Sequence, residues 1–286
     1  MTRASTLLRT LAVAATAALA IGLSGCEVKG GDAGKPSEYV TEGVITIGTG
    51  QPAYYPWVID DAPETGEGFE AAVAYAVAKE LGFSADEVVW VRTTFDEAIA
   101  PGPKNFDFNL QQFSITPERE QNVNFSSPYY ETTQVVITTA ASAAASATTI
   151  DELKAFLIGA QTGTTSLAAI EQVIAPAAGA QVFNTNDDAK LALESGTVDA
   201  IVVDLPTAFY LTGVELTDGI IIGQLPALSG ARGDQFGLVL PKDSPLTVRV
   251  SNAVDKLKRD GVLAEIAEEW LADAAEAPVL EVPPAP

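Results

Sequence analysis

Polar side chains suited to gripping a small anion follow an alternating stretch of sequence at Asp107–Phe113. Apolar and polar residues alternate there, as in a strand with one face in a core. Ser114, Thr116 and Arg119 come next, and Thr116-Pro117-Glu118 favours a turn or a helix start. Because open α/β sheets bind ligands beyond the carboxyl ends of their strands, these side chains lie within reach of a small molecule there. The Arg119 guanidinium offers a rigid fork of donors that matches a carboxylate, and a solvated arginine is the alternative that the spacing leaves open.

These residues belong to a longer motif. Asp107 is followed after six residues by Ser114-Ile115-Thr116-Pro117-Glu118-Arg119, and then by Val123-Asn124-Phe125-Ser126-Ser127-Pro128-Tyr129-Tyr130. The motif resembles the hallmark of the family 3 solute-binding proteins of amino-acid ABC importers, and the similarity runs from about Val44 to about Leu271. The resemblance implies an α/β fold of two lobes, the type II periplasmic-binding-protein fold, with two chain crossings at a hinge.

The first 25 residues have the features of a secretory signal, with Arg3 and Arg9, an apolar run over Leu11–Leu23 and small residues before a cleavage point. The run is too short and too rich in alanine to favour a membrane-spanning helix. Leu23-Ser24-Gly25-Cys26 resembles a bacterial lipobox, in which the cysteine becomes the lipidated first residue. We therefore predict lipidation at Cys26, the only cysteine, and an anchor on the extracytoplasmic face of the membrane. A buried or chance thiol is the alternative.

Charge and composition exclude several classes of function. The formal net charge is −22, and it becomes −24 once the leader with its two arginines and no acids is removed. A chain this acidic is poorly suited to bind nucleic acid or to adhere to anionic lipid through charge. The absence of histidine removes the usual general base, the Ser-His-Asp triad and most zinc sites. We expect neither a metal nor a cofactor.

Strand and helix patterns recur along the chain and predict its domain order. A β-α-β-α-β order in the first half indicates a parallel sheet with helices on its faces, and the same order returns in the second half. Two similarly wound lobes imply a cleft between them. The predicted segments are a signal peptide at 1–25, a flexible tether at 26–43, the first lobe at 44–131 and 236–272, the second lobe at 132–235, and a disordered tail at 273–286.

The resemblance implies that the cleft binds a free amino acid. Both charged ends of such a ligand need partners, because an unpaired charge in a closed cleft costs several kcal/mol. Arg119 is the expected bidentate partner of the ligand carboxylate. Thr164 and Thr165 open the first helix of the second lobe, where free backbone N–H groups and hydroxyls favour an anion, and the resemblance assigns them to the same carboxylate.

The resemblance also implies partners for the ligand ammonium. Ser114 and the backbone near Gln112 face the ammonium in the family, and Asp204 resembles the family aspartate that completes the site. Asp204 follows a buried apolar strand, so a helix N-cap or turn before Leu205-Pro206 is the alternative for its carboxylate.

Aromatic and amide residues are the candidates for contact with the ligand side chain. Tyr54 and Trp57 stand where the family has an aromatic wall, and Tyr54 is the preferred candidate, although either residue could lie in a core. Asn109, Gln111 and Gln112 depart from the family pattern of apolar and small residues at these positions. Their amides either contact a polar ligand side chain or support the hinge.

The leading hypothesis is a monomeric, lipid-anchored receptor that captures a polar free amino acid and docks on an ABC permease, without catalysis. A second is an enzyme on the same scaffold, similar to a cyclohexadienyl or arogenate dehydratase, for which Asp204 and Glu70 are the candidate general acids. A third is a ligand-sensing subunit that signals through another protein.

Overall fold

Strands and helices alternate along most of the chain. The computed structural model describes residues 38–228, 233–271 and 277–280. Within those residues the strands are β1 Ile45–Thr49, β2 Val88–Arg92, β3 Phe108–Asn109, β4 Val123–Phe125, β5 Tyr130–Thr132, β6 Gln134–Thr139, β7 Ile158–Gln161, β8 Gln181–Phe183, β9 Ala200–Asp204, β10 Gly219–Gln224, β11 Asp234–Phe236 and β12 Val239–Pro241. The α-helices there are α1 Phe69–Glu80, α2 Phe95–Ile99, α3 Ile150–Leu153, α4 Thr165–Ala169, α5 Asn186–Glu194, α6 Leu205–Tyr210, α7 Thr247–Arg259 and α8 Val262–Leu271.

The first lobe is built on a five-stranded sheet with the strand order β2-β1-β3-β12-β4. Strand β1 pairs in parallel with β2 and β3, and β12 runs antiparallel to β3 and β4. The main core of the lobe lies where this sheet meets α1, α7 and α8. Helix α1 begins at Gly68, whose φ is 102° and where a Cβ would lie 2.6 Å from the carbonyl oxygen of Trp57.

The second lobe is built on a second five-stranded sheet with the order β10-β6-β9-β7-β8. Strand β7 pairs in parallel with β8 and β9, whereas β6 runs antiparallel to β9 and β10. Apolar residues fill cores on both faces of this sheet, one against α4 and the other against α5 and α6. Both sheets therefore place parallel strands beside one antiparallel partner.

Two chain crossings join the lobes. Strands β5 and β11 pair antiparallel as a separate two-stranded ladder, and the chain enters the second sheet just after β5 and returns to the first just after β11. The two-lobed α/β fold with a hinge is thereby confirmed. The residue limits of the lobes stay a prediction.

Two short segments within the predicted tether and tail pack on the lobes. Residues 38–43 contact the first lobe, because the ring of Tyr39 packs edge-to-face on Phe83 with centroids 5.1 Å apart and the Val40 N–H donates to buried Asp107 over 2.8 Å. Residues 277–280 contact the second lobe, where Leu280 is buried in the core and its N–H donates to the carbonyl of Gln224 over 2.9 Å. These two short segments therefore pack on the lobes, and the tether at 26–43 and the tail at 273–286 stay predictions.

Other predictions fall outside the described residues or change in extent. The predicted signal peptide and Cys26 lie outside them, and no described helix combines the length and hydropathy of a membrane span. Of the strand predicted over Asp107–Phe113, only Phe108–Asn109 forms a regular strand. The chain leaves the extended conformation at Gln112, whose φ is 51°, and this turn carries the following residues toward the second lobe.

Gly48 in β1 is a point where the sheet tolerates no side chain. A Cβ there would lie 2.1 Å from Nδ2 of Asn109, a fully buried residue whose amide donates to Thr93 Oγ1. We expect Gly48→Ala to lower the free energy of unfolding by about 1 to 3 kcal/mol, because the neighbour is fixed by its own hydrogen bond. Urea titration measures this value.

Gly213→Ala is the control, because nothing lies within 4 Å of a Cβ at Gly213. That substitution should leave stability unchanged or raise it by up to about 1 kcal/mol, since alanine is favoured over glycine in helical backbone. Equal stability of the two variants would contradict the close packing at Gly48.

Candidate functional site

A cavity of about 320 Å³ lies between the two lobes. The turns that follow β1, β2 and β3 line it from the first lobe, and the turns that follow β7, β8 and β9 line it from the second. The cavity therefore sits beyond the carboxyl ends of the parallel strands, which is the usual ligand position in open α/β sheets. Its volume lies at the small end of the range for small-molecule sites.

Helix N-termini surround the cavity. Thr94, Thr164, Thr185 and Asp204 are the N-cap residues of α2, α4, α5 and α6, and each accepts a hydrogen bond from the first turn of its helix. All of them also line the cavity. Local capping chemistry thus places polar groups from both lobes on one surface.

Arg119 is buried at the edge of the cavity, with 7% of its surface exposed. Its Nη1 donates to the carbonyl of Ser114 over 2.7 Å, and its Nη2 donates across the cleft to the carbonyl of Gly163 over 2.9 Å. Phe95 lies under the guanidinium, with the ring centroid 5.3 Å from Cζ. Burial lowers the pKa of Arg119 to about 10, and the negative charge of Asp234 partly offsets this effect. Arg119 stays charged at neutral pH and is not a solvated surface arginine.

A polar network next to Arg119 joins the lobes. The hydroxyls of Ser114 and Thr165 lie 3.1 Å apart across the cleft. Nε2 of Gln134 donates to Asp234 Oδ2 over 2.8 Å and to Thr165 Oγ1 over 3.3 Å, and Ser166 donates to Oε1 of Gln134 over 2.6 Å. Ser114 and Thr165, both predicted as site residues, are therefore brought together.

Thr164 lies beside this network, but its hydroxyl is already engaged. Its Oγ1 donates to the carbonyl of Gln161 over 2.7 Å and accepts from the N–H of Leu167 over 3.1 Å. Any contribution of Thr164 to a bound anion would therefore come from its backbone N–H at the helix start.

Asp204 faces the cavity from the end of β9 and also caps a helix. It is the N-cap of α6, because Oδ1 accepts from the Thr207 N–H over 3.2 Å and Oδ2 accepts from the Thr207 hydroxyl over 3.1 Å. It also lines the cavity, from which it is partly accessible. Protein surrounds the carboxyl group, and this burial raises the pKa of Asp204 to about 6 despite the hydrogen bonds from Thr207.

Glu70 lines the cavity although only 1% of its surface is exposed. Its carboxylate accepts from the Gln112 backbone N–H over 2.8 Å, from the Gln112 side-chain amide and from the Tyr129 hydroxyl. Burial raises the pKa of Glu70 to about 7, although these hydrogen bonds act in the opposite direction. Glu70 thus holds Gln112 in the φ 51° conformation that turns the chain toward the cavity.

The amides of Gln111 and Asn109 are engaged in packing within the first lobe. Nε2 of Gln111 donates to Thr93 Oγ1 over 2.8 Å and to Asn109 Oδ1 over 3.0 Å, and Asn109 Nδ2 donates to the same threonine over 2.9 Å. Gln111 nevertheless lines the cavity, whereas Asn109 is fully buried beside Gly48. This buried network favours a supporting role for Asn109.

Tyr54 and Trp57 take different positions. Tyr54 is half-buried on the cavity wall, and burial together with the nearby charge of Asp187 raises its pKa. Trp57 touches the cavity but is only 1% exposed, because its ring packs edge-to-face against Phe69 and Phe236 with centroids 5.8 Å apart in each pair. Tyr54 therefore remains the better candidate for an aromatic wall.

The profile of the bacterial extracellular solute-binding proteins, family 3, matches residues 45–273. The chain belongs to this family. The L-cystine-binding protein TcyJ of Escherichia coli strain K12 is 28% identical to this family 3 protein over 255 residues, which are 87% of this chain and 90% of TcyJ.

Solved structures of relatives share the fold. An ancestral arginine-binding protein bound to arginine is 28% identical, with a TM-score of 0.66, and the match covers 80% of this chain and 98% of that one. An ancestral amino-acid-binding protein described as a precursor of cyclohexadienyl dehydratase is 29% identical, also with a TM-score of 0.66, over 80% of this chain and 95% of that one. The resemblance inferred from the motif is confirmed.

Several cavity residues of this family 3 protein were not predicted from the sequence. They are Gln51, Phe95, Asp96, Gln134, Gln161, Asn184 and Asn186. Most of them follow the carboxyl ends of strands. Ligands bind beyond those ends in open α/β sheets, so the residues after every parallel strand were candidates, as Ser114 was. In the part of the chain that the structure describes, no group of three or more acidic, histidine or cysteine side chains could hold a metal ion.

The raised pKa of Glu70 makes stability depend on pH. Its folded-state pKa of about 7 exceeds the ordinary value of 4.5, so its contribution to stability is fully present below about pH 4.5 and lost as the pH rises through 7. The unfolding free energy of wild type relative to Glu70→Gln should therefore fall by about 3 kcal/mol over this range. Urea titrations at several pH values measure the difference, and parallel curves for the two proteins would contradict the assignment.

Proposed function

We propose that this protein is an extracytoplasmic receptor that binds one free amino acid in the interlobe cavity and delivers it to an ABC importer permease. The observation that carries the proposal is the pair of opposite charges on one small cavity, Arg119 from the first lobe and Asp204 from the second. Relatives named for binding cystine and arginine support it. A zwitterion would pair both charges at once, which no simple anion or cation does.

The carboxylate end of the ligand belongs with Arg119. The guanidinium uses two N–H groups on the carbonyls of Ser114 and Gly163, and its other N–H groups have no acceptor among the residues the structure describes. The hydroxyls of Ser114 and Thr165 lie beside it, and the N-terminus of α4 adds backbone N–H groups at Thr164 and Thr165. Such a set favours a carboxylate that bridges the two lobes.

The ammonium end belongs with Asp204. Its carboxylate accepts two hydrogen bonds from Thr207, and each oxygen has a further lone pair for a donor in the cavity. A ligand ammonium would offset the cost of burying this charge, so binding of the ligand should lower the pKa of Asp204. Gln112, turned toward the cavity by Glu70, is the proposed neighbour of the same group.

The remaining walls favour a ligand side chain that is polar and not acidic. Glu70, Asp96 and Asp204 supply carboxylates to the cavity lining, whereas Arg119 is the only cation in that lining among the described residues. A second carboxylate on the ligand would face this excess without a partner. Tyr54 offers an aromatic face to the side chain, and the same cavity is lined by Gln111 and Gln112 from the first lobe and by further amide residues from the second.

We also propose that lipid on Cys26 anchors the receptor as a monomer on the extracytoplasmic face of the membrane. The lipobox-like sequence before Cys26 supports the anchor, and the family description as extracellular proteins supports the compartment. The anchor keeps the receptor near a membrane permease.

A dehydratase is the second candidate function, and the raised pKa of Glu70 is the observation that favours it. A carboxylic acid that is partly protonated near pH 7 at a cavity wall could act as a general acid. The carboxylate is, however, bonded to Gln112 and Tyr129 inside its own lobe. This arrangement suits a structural acid better than one that transfers protons to a ligand.

Arg119→Ala tests the proposed grip, which is the contact between the Arg119 guanidinium and the ligand carboxylate. Removing the charged partner from a closed cleft should weaken binding by about 2 to 5 kcal/mol, which is about 30-fold to several-thousand-fold in Kd. Arg119→Lys keeps the charge but loses the second parallel hydrogen bond, so it should bind between these limits and wild type. Isothermal titration calorimetry with each standard L-amino acid measures the affinities. Incubation with arogenate, followed by analysis for a dehydrated product, tests the dehydratase.

Two controls separate the ligand grip from lobe closure. Arg249→Ala removes an arginine that pairs with Glu38 at the surface, and it should leave Kd within twofold of wild type. The amide form of the bound amino acid, which lacks the carboxylate charge, should lose much less affinity than the free acid on Arg119→Ala. Binding of the free amino acid by Arg119→Ala within threefold of wild type would reject the proposed grip.

Cys26→Ser tests the anchor in a bacterial host that processes lipoproteins. Because serine cannot take the thioether-linked lipid, the variant should leave the membrane fraction and lose fatty-acid labelling. Ser24→Ala keeps the cysteine and a small residue before it, and it should stay at the membrane. Retention of Cys26→Ser at the membrane to the wild-type extent would refute the lipid anchor.

A further inference from the structure

The indole of Trp57 makes a hydrogen bond to a residue of the other lobe. The ring is buried in the core of the first lobe, and its only polar atom, Nε1, donates to Oγ1 of Thr207 in the second lobe over 3.1 Å. Thr207 is itself 6% exposed, so little solvent reaches this bond. The two residues are 150 positions apart in sequence, and they meet only where the lobes meet.

The direction of the hydrogen bonds links Trp57 to Asp204. An indole N–H can only donate, so the Thr207 oxygen must accept from it. The single hydroxyl proton of Thr207 is then free for Asp204, and Oδ2 of Asp204 accepts it over 3.1 Å. Oδ1 is held separately by the Thr207 backbone N–H over 3.2 Å. Trp57 thus orients one oxygen of Asp204, and the helix cap orients the other.

We propose that Trp57 is a positioning residue that, through Thr207, aims the Asp204 carboxylate at the ligand ammonium when the lobes meet. This inference rests on the proposed function, because it gives Asp204 a ligand to receive. The contact joins groups of the two lobes themselves, so it aims the carboxylate before a ligand ammonium arrives.

Burial strengthens this relay, the chain of hydrogen bonds from Trp57 through Thr207 to Asp204. A buried donor left without an acceptor is costly, and bonds in a chain polarise one another in a medium of low dielectric constant. The Trp57 ring packs against Phe69 and Phe236 and cannot easily turn to find another acceptor. Phenylalanine at this position would keep the aromatic packing and remove the donor.

The first test reads the titration of Asp204 without any ligand. A side-chain carboxyl NMR titration gives its midpoint, with the signal assigned by its absence in Asp204→Asn. Trp57→Phe and Thr207→Val each weaken a bond to the ionised carboxylate, so both should raise the midpoint. Thr207→Ser keeps the hydroxyl and should restore the wild-type midpoint. The nearby titratable groups Glu70, Asp234, Tyr129 and Tyr130 are the same in every variant.

Trp90→Phe is the matched control. It makes the same change in the same lobe, at an indole that donates to the Tyr75 hydroxyl over 3.3 Å and does not line the cavity. Its Asp204 midpoint should equal that of wild type. An unchanged midpoint in Trp57→Phe would overturn the proposal.

Hydrogen exchange covers the case in which Trp57→Phe does not fold. The Trp57 indole N–H should exchange slowly in wild type and faster in Thr207→Val, which leaves the aromatic core intact. Equal exchange rates in those two proteins would equally overturn the proposal.

The second test adds the twenty standard L-amino acids, each titrated by calorimetry. For those that bind wild type, Trp57→Phe should weaken binding about 5- to 50-fold, and Trp90→Phe should change it less than twofold. Equal affinities of Trp57→Phe and wild type would overturn the proposal. If no amino acid binds wild type, the proposed function fails, and the ligand-free titration of Asp204 still decides whether the relay exists.

Discussion

The main physical constraint in this structure is the pair of opposite charges that line one small cavity. Arg119 and Asp204 come from different lobes, and protein surrounds both groups. Burial lowers the pKa of the first and raises that of the second, so each group is less stable in its charged form than it would be in water. A zwitterionic ligand would relieve both costs at once. Under the proposed function, this shared cost favours a molecule with a carboxylate and an ammonium.

The fold positions Asp204 through ordinary helix capping, and a two-stranded hinge joins the lobes that carry the two charges. Asp204 and Thr164 begin helices, so the same side chains that satisfy free N–H groups also face the cavity. Contacts across the cleft then join the lobes at separate points. Arg119 reaches the carbonyl of Gly163 near the proposed carboxylate end, and Trp57 reaches Thr207 near the proposed ammonium end. Both ends of the proposed ligand site therefore include a contact between the lobes.

Local sequence patterns predict much of the fold and part of the candidate site. The motif around Arg119 predicted a strand end facing a ligand, and the residues around Asp204 predicted either a site or a cap. The structure shows the cap, at a position on the cavity wall. Long-range pairing could not be predicted in this way. Nothing near Gln111 indicates that its amide is engaged by Thr93, and nothing near Trp57 indicates an acceptor in the other lobe. Such contacts depend on how the lobes meet, which no local pattern encodes.

Identification of the bound molecule is the decisive test of whether the cavity binds one free amino acid. The protein is incubated with an equal mixture of the twenty standard L-amino acids, desalted and denatured, and the released molecules are identified by mass spectrometry. We predict that one unmodified amino acid, with an uncharged polar or cationic side chain, is released in near-stoichiometric amount. Release of aspartate or glutamate, release of a converted product, or equal release from Arg119→Ala would contradict it.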